Sequence, residues 1–296
     1  MQDEILFNTK NGMGIITLNR PSALNALNAE MLTALHQQLL LWEKDNAILS
    51  VLIESSSPRV FCAGGDIKAV YYAHQKKQKN ISHYFKVEYD LNHYIHNYKK
   101  PYIALLNGLT MGGGAGVSLH GRFRIATEHF VFAMPETGIG FFPDVGTSYI
   151  LSRLPKEIGV YLGLTGTRIN ATEAHYVGLI DIDCTNGTQE NHLKDSQQLI
   201  EKNFKFDTIS AIFDSLSQDQ HPWAQHTLAV LKQKSPTSLS KTLEMLRNAK
   251  NVSFEACIKA EYELACYFVE SHDFYEGIRA AIIDKDKKPI WKPDTL

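Results

Sequence analysis

Apolar residues along the first half of the chain follow two periods. Gly14-Ile15-Ile16-Thr17-Leu18, Ser50-Val51-Leu52-Ile53 and Tyr102-Ile103-Ala104-Leu105-Leu106 are short runs bounded by turn residues, and they predict buried strands. Between them Met31, Leu32, Leu35, Leu39 and Trp42 share one helical stripe, with Asn28 placed to cap it. Residues of about 80–98 predict a second helix, two short strands follow near 123–127 and 130–134, and helices near 145–153 and 156–164. Strands interleaved with helices predict an α/β core. Beyond about residue 185 the strand signal fades. Ser235-Pro236 reads as an N-cap with proline at the first helical position, and Ser253 opens a helix with Phe254, Cys257, Ile258, Leu264, Ala265 and Phe268 on its apolar stripe. The expected organisation is a core of residues 1–185 with a helical region, 186–296, packed on it. The segment Asp284–Pro289 reads as a charged, solvated stop.

Composition narrows the function classes. The 296 residues, 44% of them apolar, can bury a large core. Basic and acidic residues nearly balance, 30 against 32, which argues against a nucleic-acid binder with a basic footprint. No run approaches the roughly 18 apolar residues of a membrane span. The start, MQDEILFNTK, carries acids and no arginine, so it reads as neither a secretory signal nor a mitochondrial presequence. Cys62, Cys184, Cys257 and Cys266 show no CxxC and no regular framework. Together these predict a soluble cytoplasmic protein.

Candidate chemistry concentrates in three stretches. Phe61-Cys62-Ala63-Gly64-Gly65-Asp66 and Gly112-Gly113-Gly114-Ala115-Gly116 each follow a strand, and the second is placed to open a helix. Glycine at such positions lets a ligand approach the backbone and leaves N–H groups to point at an anion. Named alternatives fail on spacing: Val117 stands where a dinucleotide fingerprint needs glycine, and no P-loop, nucleophile elbow or zinc-protease motif exists. His93 and His96 share a helical face, but without a third ligand they read as solvated side chains. The third stretch, Met134 to Gly146, sets Glu136 and Asp144 in an apolar, glycine-rich segment where a carboxyl can be tuned for acid–base work. Competing structural roles are a salt bridge from Glu136 to Arg122 or Arg124, and helix capping by Asp144.

At these stretches the chain resembles the crotonase (enoyl-CoA hydratase/isomerase) superfamily. The likeness runs from Leu18-Asn19-Arg20-Pro21-Ser22-Ala23-Leu24-Asn25 through the two glycine loops, with Lys100-Pro101 to Asn107-Gly108 between them, and on to Met134-Pro135-Glu136. It implies a crotonase-like spiral of β-β-α units and an acyl-CoA thioester site. In that site the N–H groups of Gly65 and Gly113 form an oxyanion hole, Ala63, Ile67 and Lys68 line the CoA, and Arg20 or Lys68 meets its phosphates. Hydratases of this superfamily carry two glutamates. Here the first position is Gly116 and the second is Glu136, and an acid, Asp144, stands where hydratases have glycine. With the segments 112–121, 134–146, 235–239, 272–279 and 284–293, this resembles the branch that hydrolyses 3-hydroxyisobutyryl-CoA in valine breakdown.

The implied roles are Glu136 as nucleophile or general base, Asp144 as orienting group, and Glu88 as binder of the 3-hydroxyl or a solvated helix residue. The resemblance implies no cofactor beyond the CoA of the substrate, no metal, and a possible homo-oligomer. The stretch between Asp183 and Pro222 is short for the branch, as is the chain after Trp291. The alternative activities are hydratase/isomerase chemistry that keeps the thioester and acyl-CoA binding without turnover.

Overall fold

The computed structural model describes residues 3–294, which divide into two compact units. The first contains residues 3–66, 83–132 and 169–191. Its strands are β1 (Ile5–Lys10), β2 (Met13–Leu18), β3 (Ser50–Ser55), β4 (Val60–Cys62), β5 (Tyr102–Leu106), β6 (Leu109–Met111), β7 (Phe123–Ala126), β8 (Val131–Ala133), β9 (Ile169–Asn170) and β10 (Ile182–Asp183), with the last residue of β8 opening the second unit. Six strands form one sheet in the order β1-β2-β3-β5-β7-β10. Only its first pair is antiparallel. Asn11 and Gly12 both take positive φ (50° and 77°), the two-residue turn whose twist suits a hairpin.

Burial alternates along the strands, as a two-residue period requires: Ile16 and Leu18, then Val51 and Ile53, then Tyr102, Ala104 and Leu106. The helix Ala29–Lys44 buries the expected stripe, and Asn28 caps it by accepting the Met31 N–H at 2.8 Å. Each of those large apolar side chains contributes roughly 2 kcal/mol of burial.

A smaller sheet, β4-β6-β8-β9, sets up the chemistry. Strands β4 and β6 run parallel, with Val60 beside Leu109 and Cys62 beside Thr110. Parallel neighbours end at the same edge, so the loops that follow them, Ala63–Asp66 and Gly112–Gly116, emerge side by side. Buried Asn25 fixes that edge. Its amide donates to Ser55 Oγ (2.7 Å) and the Phe61 carbonyl (3.0 Å), and its oxygen accepts the Arg20 N–H.

The second unit contains residues 67–82, 133–168 and 192–294 and is helical. The helix Ile158–Thr165 is buried on every side, which its largely apolar composition demands. Phe141, Phe142, Phe268 and Phe274 form one cluster with centroid separations of 4.7–5.6 Å. Both Ser235 and Ser253 cap their helices as expected.

Two local readings differ from the structure, and two of its elements carry too weak a pattern to be read. The helix expected near 145–153 spans only Thr147–Leu151, because Val145 and Gly146 take positive φ and delay its start. Strand β1 is largely exposed and the helix Ile67–Gln75 buries Val70 alone, so neither carries a strong apolar period. The charged stop is engaged in ion pairs: Arg279 binds Glu276 (2.8 Å), Asp284 (2.7 Å) and Asp286 (2.7 Å). Among the described residues no helix is long and apolar enough to cross a membrane.

Candidate active site

The predicted residues fall into two clusters, one in each unit. In the first unit the loop after β4 is held on both sides of Gly65. Leu27 donates its N–H to the Gly64 carbonyl (2.9 Å), and its own carbonyl accepts the Asp66 N–H (2.8 Å). Gly64 takes φ +123°, a conformation that side-chain-bearing residues rarely adopt. Ala63 continues from β4 and donates to the Leu24 carbonyl at 3.0 Å.

The loop after β6 closes into a single helical turn, Gly113–Gly116. As its first residue, Gly113 has an N–H with no acceptor inside the turn. A Cβ on Gly113 would lie 3.1 Å from the Gly65 nitrogen and would overlap the Glu88 carboxylate. The two backbone amides and a buried carboxyl therefore converge on one spot, and only glycine leaves it open. Glu88 is 2% exposed, on the helix Ser82–His96, so the solvated reading of this residue is corrected. One turn further, Asn92 is fully buried, and neither its amide nitrogen nor its oxygen has a hydrogen-bond partner among the described residues.

Arg20 is committed elsewhere in this unit. Its guanidinium binds Glu4 (2.9 Å), Asp66 (2.8 Å) and the Ala26 carbonyl (3.0 Å), so the reading of Arg20 as a CoA-phosphate ligand gives way to a structural one. Ile67 and Lys68 open the helix Ile67–Gln75 of the second unit, the first half-buried and the second exposed.

In the second unit Glu136 begins the buried turn Glu136–Ile139. The Glu136 carbonyl accepts the Phe141 N–H (3.0 Å), the Thr137 hydroxyl donates to the Leu164 carbonyl (2.9 Å), and the Thr137 carbonyl accepts the Ser235 N–H (3.1 Å). Ser235 in turn donates its hydroxyl to Asp273 at 2.6 Å, and the other Asp273 oxygen accepts the Lys292 N–H at 2.7 Å. Lys234 lays its ammonium over Gly138, 3.3 Å from where a Cβ would sit. Burial pushes that ammonium below the ordinary lysine range, and the negative charge of Glu136 pulls it back. Lys234 was not singled out by the sequence.

The competing structural role for Glu136 does not use Arg124, which forms a two-pronged pair with Asp181 at 2.8 and 2.9 Å. Burial alone would raise the Asp181 carboxyl; the Arg124 hydrogen bonds hold it below its usual range.

Asp144 is buried, and its carbonyl accepts both the N–H (2.9 Å) and the hydroxyl (2.6 Å) of Thr147. The capping reading of its side chain is displaced by Glu261, which nothing in the sequence reading singled out. The Glu261 carboxylate accepts the Gly146 N–H (2.6 Å), the Ser148 N–H (3.1 Å) and the Ser148 hydroxyl, and so caps Thr147–Leu151 from the helix Phe254–Phe268. A signal existed for both missed residues in helices. Glu261 interrupts the stripe Cys257, Ile258, Ala265, Phe268, and Asn92 interrupts Phe85, Tyr89, Ile95.

The whole chain is covered by known relatives. A family model, enoyl-CoA hydratase/isomerase, matches residues 13–188 and 181–296, and the chain belongs to that family. Within it, a zebrafish (Danio rerio) protein named mitochondrial 3-hydroxyisobutyryl-CoA hydrolase is 39% identical over 99% of this chain and 86% of its own length. The human protein of the same name is 37% identical over 99% of this chain and 85% of its own. Two crystal structures superpose with a TM-score of 0.94 at 34% identity: a carnitinyl-CoA dehydratase from Mycobacterium thermoresistibile, covering 100% of this chain and 93% of that one, and an enoyl-CoA hydratase from Rhodobacter sphaeroides, covering 99% and 93%.

The relatives' names overturn the cytoplasmic expectation. It rested on cysteines, all four of which are free here, and on the polar start. Unpaired cysteines fit any compartment that keeps thiols reduced and do not single out the cytoplasm.

Proposed function

We propose that this protein hydrolyses the thioester of 3-hydroxyisobutyryl-CoA, or of a closely related short 3-hydroxyacyl-CoA, to the free acid and CoA, as in valine catabolism. The observation that carries the reading is the carboxyl set: Glu136 and Asp144 each buried in a separately clamped loop, with Gly116 where a hydratase carries its other glutamate. The Gly65 and Gly113 N–H groups polarise the thioester carbonyl, a contribution of about 3–4 kcal/mol per donor in comparable sites. Glu136 attacks that carbonyl or removes a proton from the attacking water. The C–S bond then breaks and the departing sulfur takes up a proton; on the nucleophilic route a water then cleaves the resulting anhydride, releasing the free acid and regenerating Glu136. Asp144 orients substrate or water, and Glu88 binds the 3-hydroxyl by accepting a hydrogen bond from it. CoA belongs to the substrate, and no separate cofactor takes part.

Glu136→Gln is expected to abolish CoA release, followed with a thiol reagent, while CoA binding persists. Thioesterase activity at the wild-type level in that variant sinks the assignment. A single turnover in heavy-oxygen water tests the covalent role of Glu136: label in the enzyme carboxylate marks an anhydride cleaved at Glu136, whereas label in first-cycle product marks attack of water on the acyl carbon. The second reading, hydration or isomerisation with the thioester intact, is favoured by the names of the two superposed structures. It requires enoyl absorbance to change with no free CoA appearing.

A further inference from the structure

A buried asparagine with both amide atoms unbonded is an expensive residue. Each unmet polar group gives up its hydration with nothing in return, and native interiors keep few of them. Asn92 is such a residue: fully buried, with nitrogen and oxygen both lacking partners among the described residues. It lies four positions after Glu88 on the helix Ser82–His96, on a stripe otherwise filled by Phe85, Tyr89 and Ile95. Residues four apart on a helix are neighbours on one face, with Cβ atoms about 5–6 Å apart. The Glu88 carboxylate lies over Gly113 and beside the Gly65 nitrogen, where the thioester carbonyl is assigned. A 3-hydroxyl is separated from that carbonyl carbon by the two carbons C2 and C3, within the span of one helical turn.

We propose that Asn92 is the specificity-determining residue for the 3-hydroxyl. Its amide N–H donates to the hydroxyl oxygen while Glu88 accepts a hydrogen bond from the hydroxyl, so the acyl group supplies a hydrogen bond that the fold leaves Asn92 without. An acyl group without the hydroxyl leaves Asn92 buried and unmatched, which is how a polar site rejects a deoxy analogue far more strongly than an apolar site rejects a hydroxyl. This inference rests on the thioesterase reading of the same site.

The test compares kcat/KM for 3-hydroxyisobutyryl-CoA and isobutyryl-CoA in the wild type, Asn92→Leu and Asn92→Asp. The wild type is expected to favour the hydroxylated substrate at least a hundredfold. Asn92→Leu should lower that ratio at least tenfold, through loss on the hydroxylated substrate. Thermal unfolding supplies an independent readout. An asparagine with no internal partner predicts a leucine variant at least as stable as the wild type, whereas a structural asparagine predicts a lower Tm. An unchanged ratio, an equal loss on both substrates, or a lower Tm with a retained ratio overturns the proposal. Failure of the wild type to release CoA from any acyl-CoA overturns the thioesterase reading itself, and the two failures are therefore distinguishable.

Discussion

Glu261 accepts the backbone N–H of Gly146 at 2.6 Å, although the two lie more than a hundred positions apart. With the Ser148 bonds, this one carboxylate satisfies the opening turn of Thr147–Leu151 and fixes the loop that carries Asp144. Glu261→Ala should strand those donors in a dry interior and cost on the order of 3 kcal/mol. Differential scanning calorimetry is expected to show Tm lower by about 6 °C or more, and CoA release should slow because Asp144 loses its support. An unchanged Tm would show the cap to be dispensable.

The same residue sets a pH dependence. Burial raises the Glu261 carboxyl from 4.5 to about 8; the Ser148 and Gly146 donors oppose the rise, and the charge of Asp144 adds to it. Between those values the folded chain holds a proton that the unfolded chain has released. Its contribution to stability is thus complete below about pH 4.5 and declines as pH rises towards 8, by up to ~1.4 kcal/mol per pH unit. Urea midpoints at pH 5.5 and pH 8 should fall further in the wild type than in Glu261→Gln. Equal slopes would place the titration elsewhere.

Gly113→Ala introduces a methyl group that overlaps the Glu88 carboxylate and crowds the Gly65 nitrogen at 3.1 Å. Glu88 must swing away, and the approach to both N–H groups narrows. A fall of about 10²–10³ in kcat is expected, the effect of losing one oxyanion donor in comparable sites. Circular dichroism should remain native. A variant with wild-type kcat would remove Gly113 from the chemistry.

The cysteines should differ sharply in reactivity. Cys184 is exposed, whereas Cys62 is fully buried, with a thiol pushed up to about 12 chiefly by burial and further by the charge of Glu88, against the Gly64 N–H that lowers it. Timed alkylation read by mass spectrometry should label Cys184 within minutes and Cys62 only on unfolding. Labelling of Cys62 in the native protein would contradict this burial. Assays that detect CoA with a thiol reagent will carry the Cys184 signal as a background.

Local signals made much of this molecule readable. Asn28, Ser235 and Ser253 announce helix starts because a cap depends on residues three positions apart. Tyr102–Leu106 is legible because its neighbours bury it through a two-residue period. The glycine loops could be found, but not that parallel β4 and β6 bring them to one edge, since strand order is a long-range property. Glu261, Lys234 and Asn92 were opaque for a related reason. A polar residue on an apolar stripe reveals that something must meet it, and the chain alone does not say what.

Hydrogen bonds from Lys292 to Asp273, from Ser235 to Asp273 and from Ser235 to Thr137 form a relay that ends one residue from Glu136. Its last contributor leaves the ribosome roughly half a chain length after Glu136 itself. A nascent polypeptide can therefore assemble the glycine loops early yet cannot complete the relay behind the turn that bears Glu136 until synthesis is nearly over. Premature termination before Lys292 would leave most of the fold intact with the outermost bond of that relay missing.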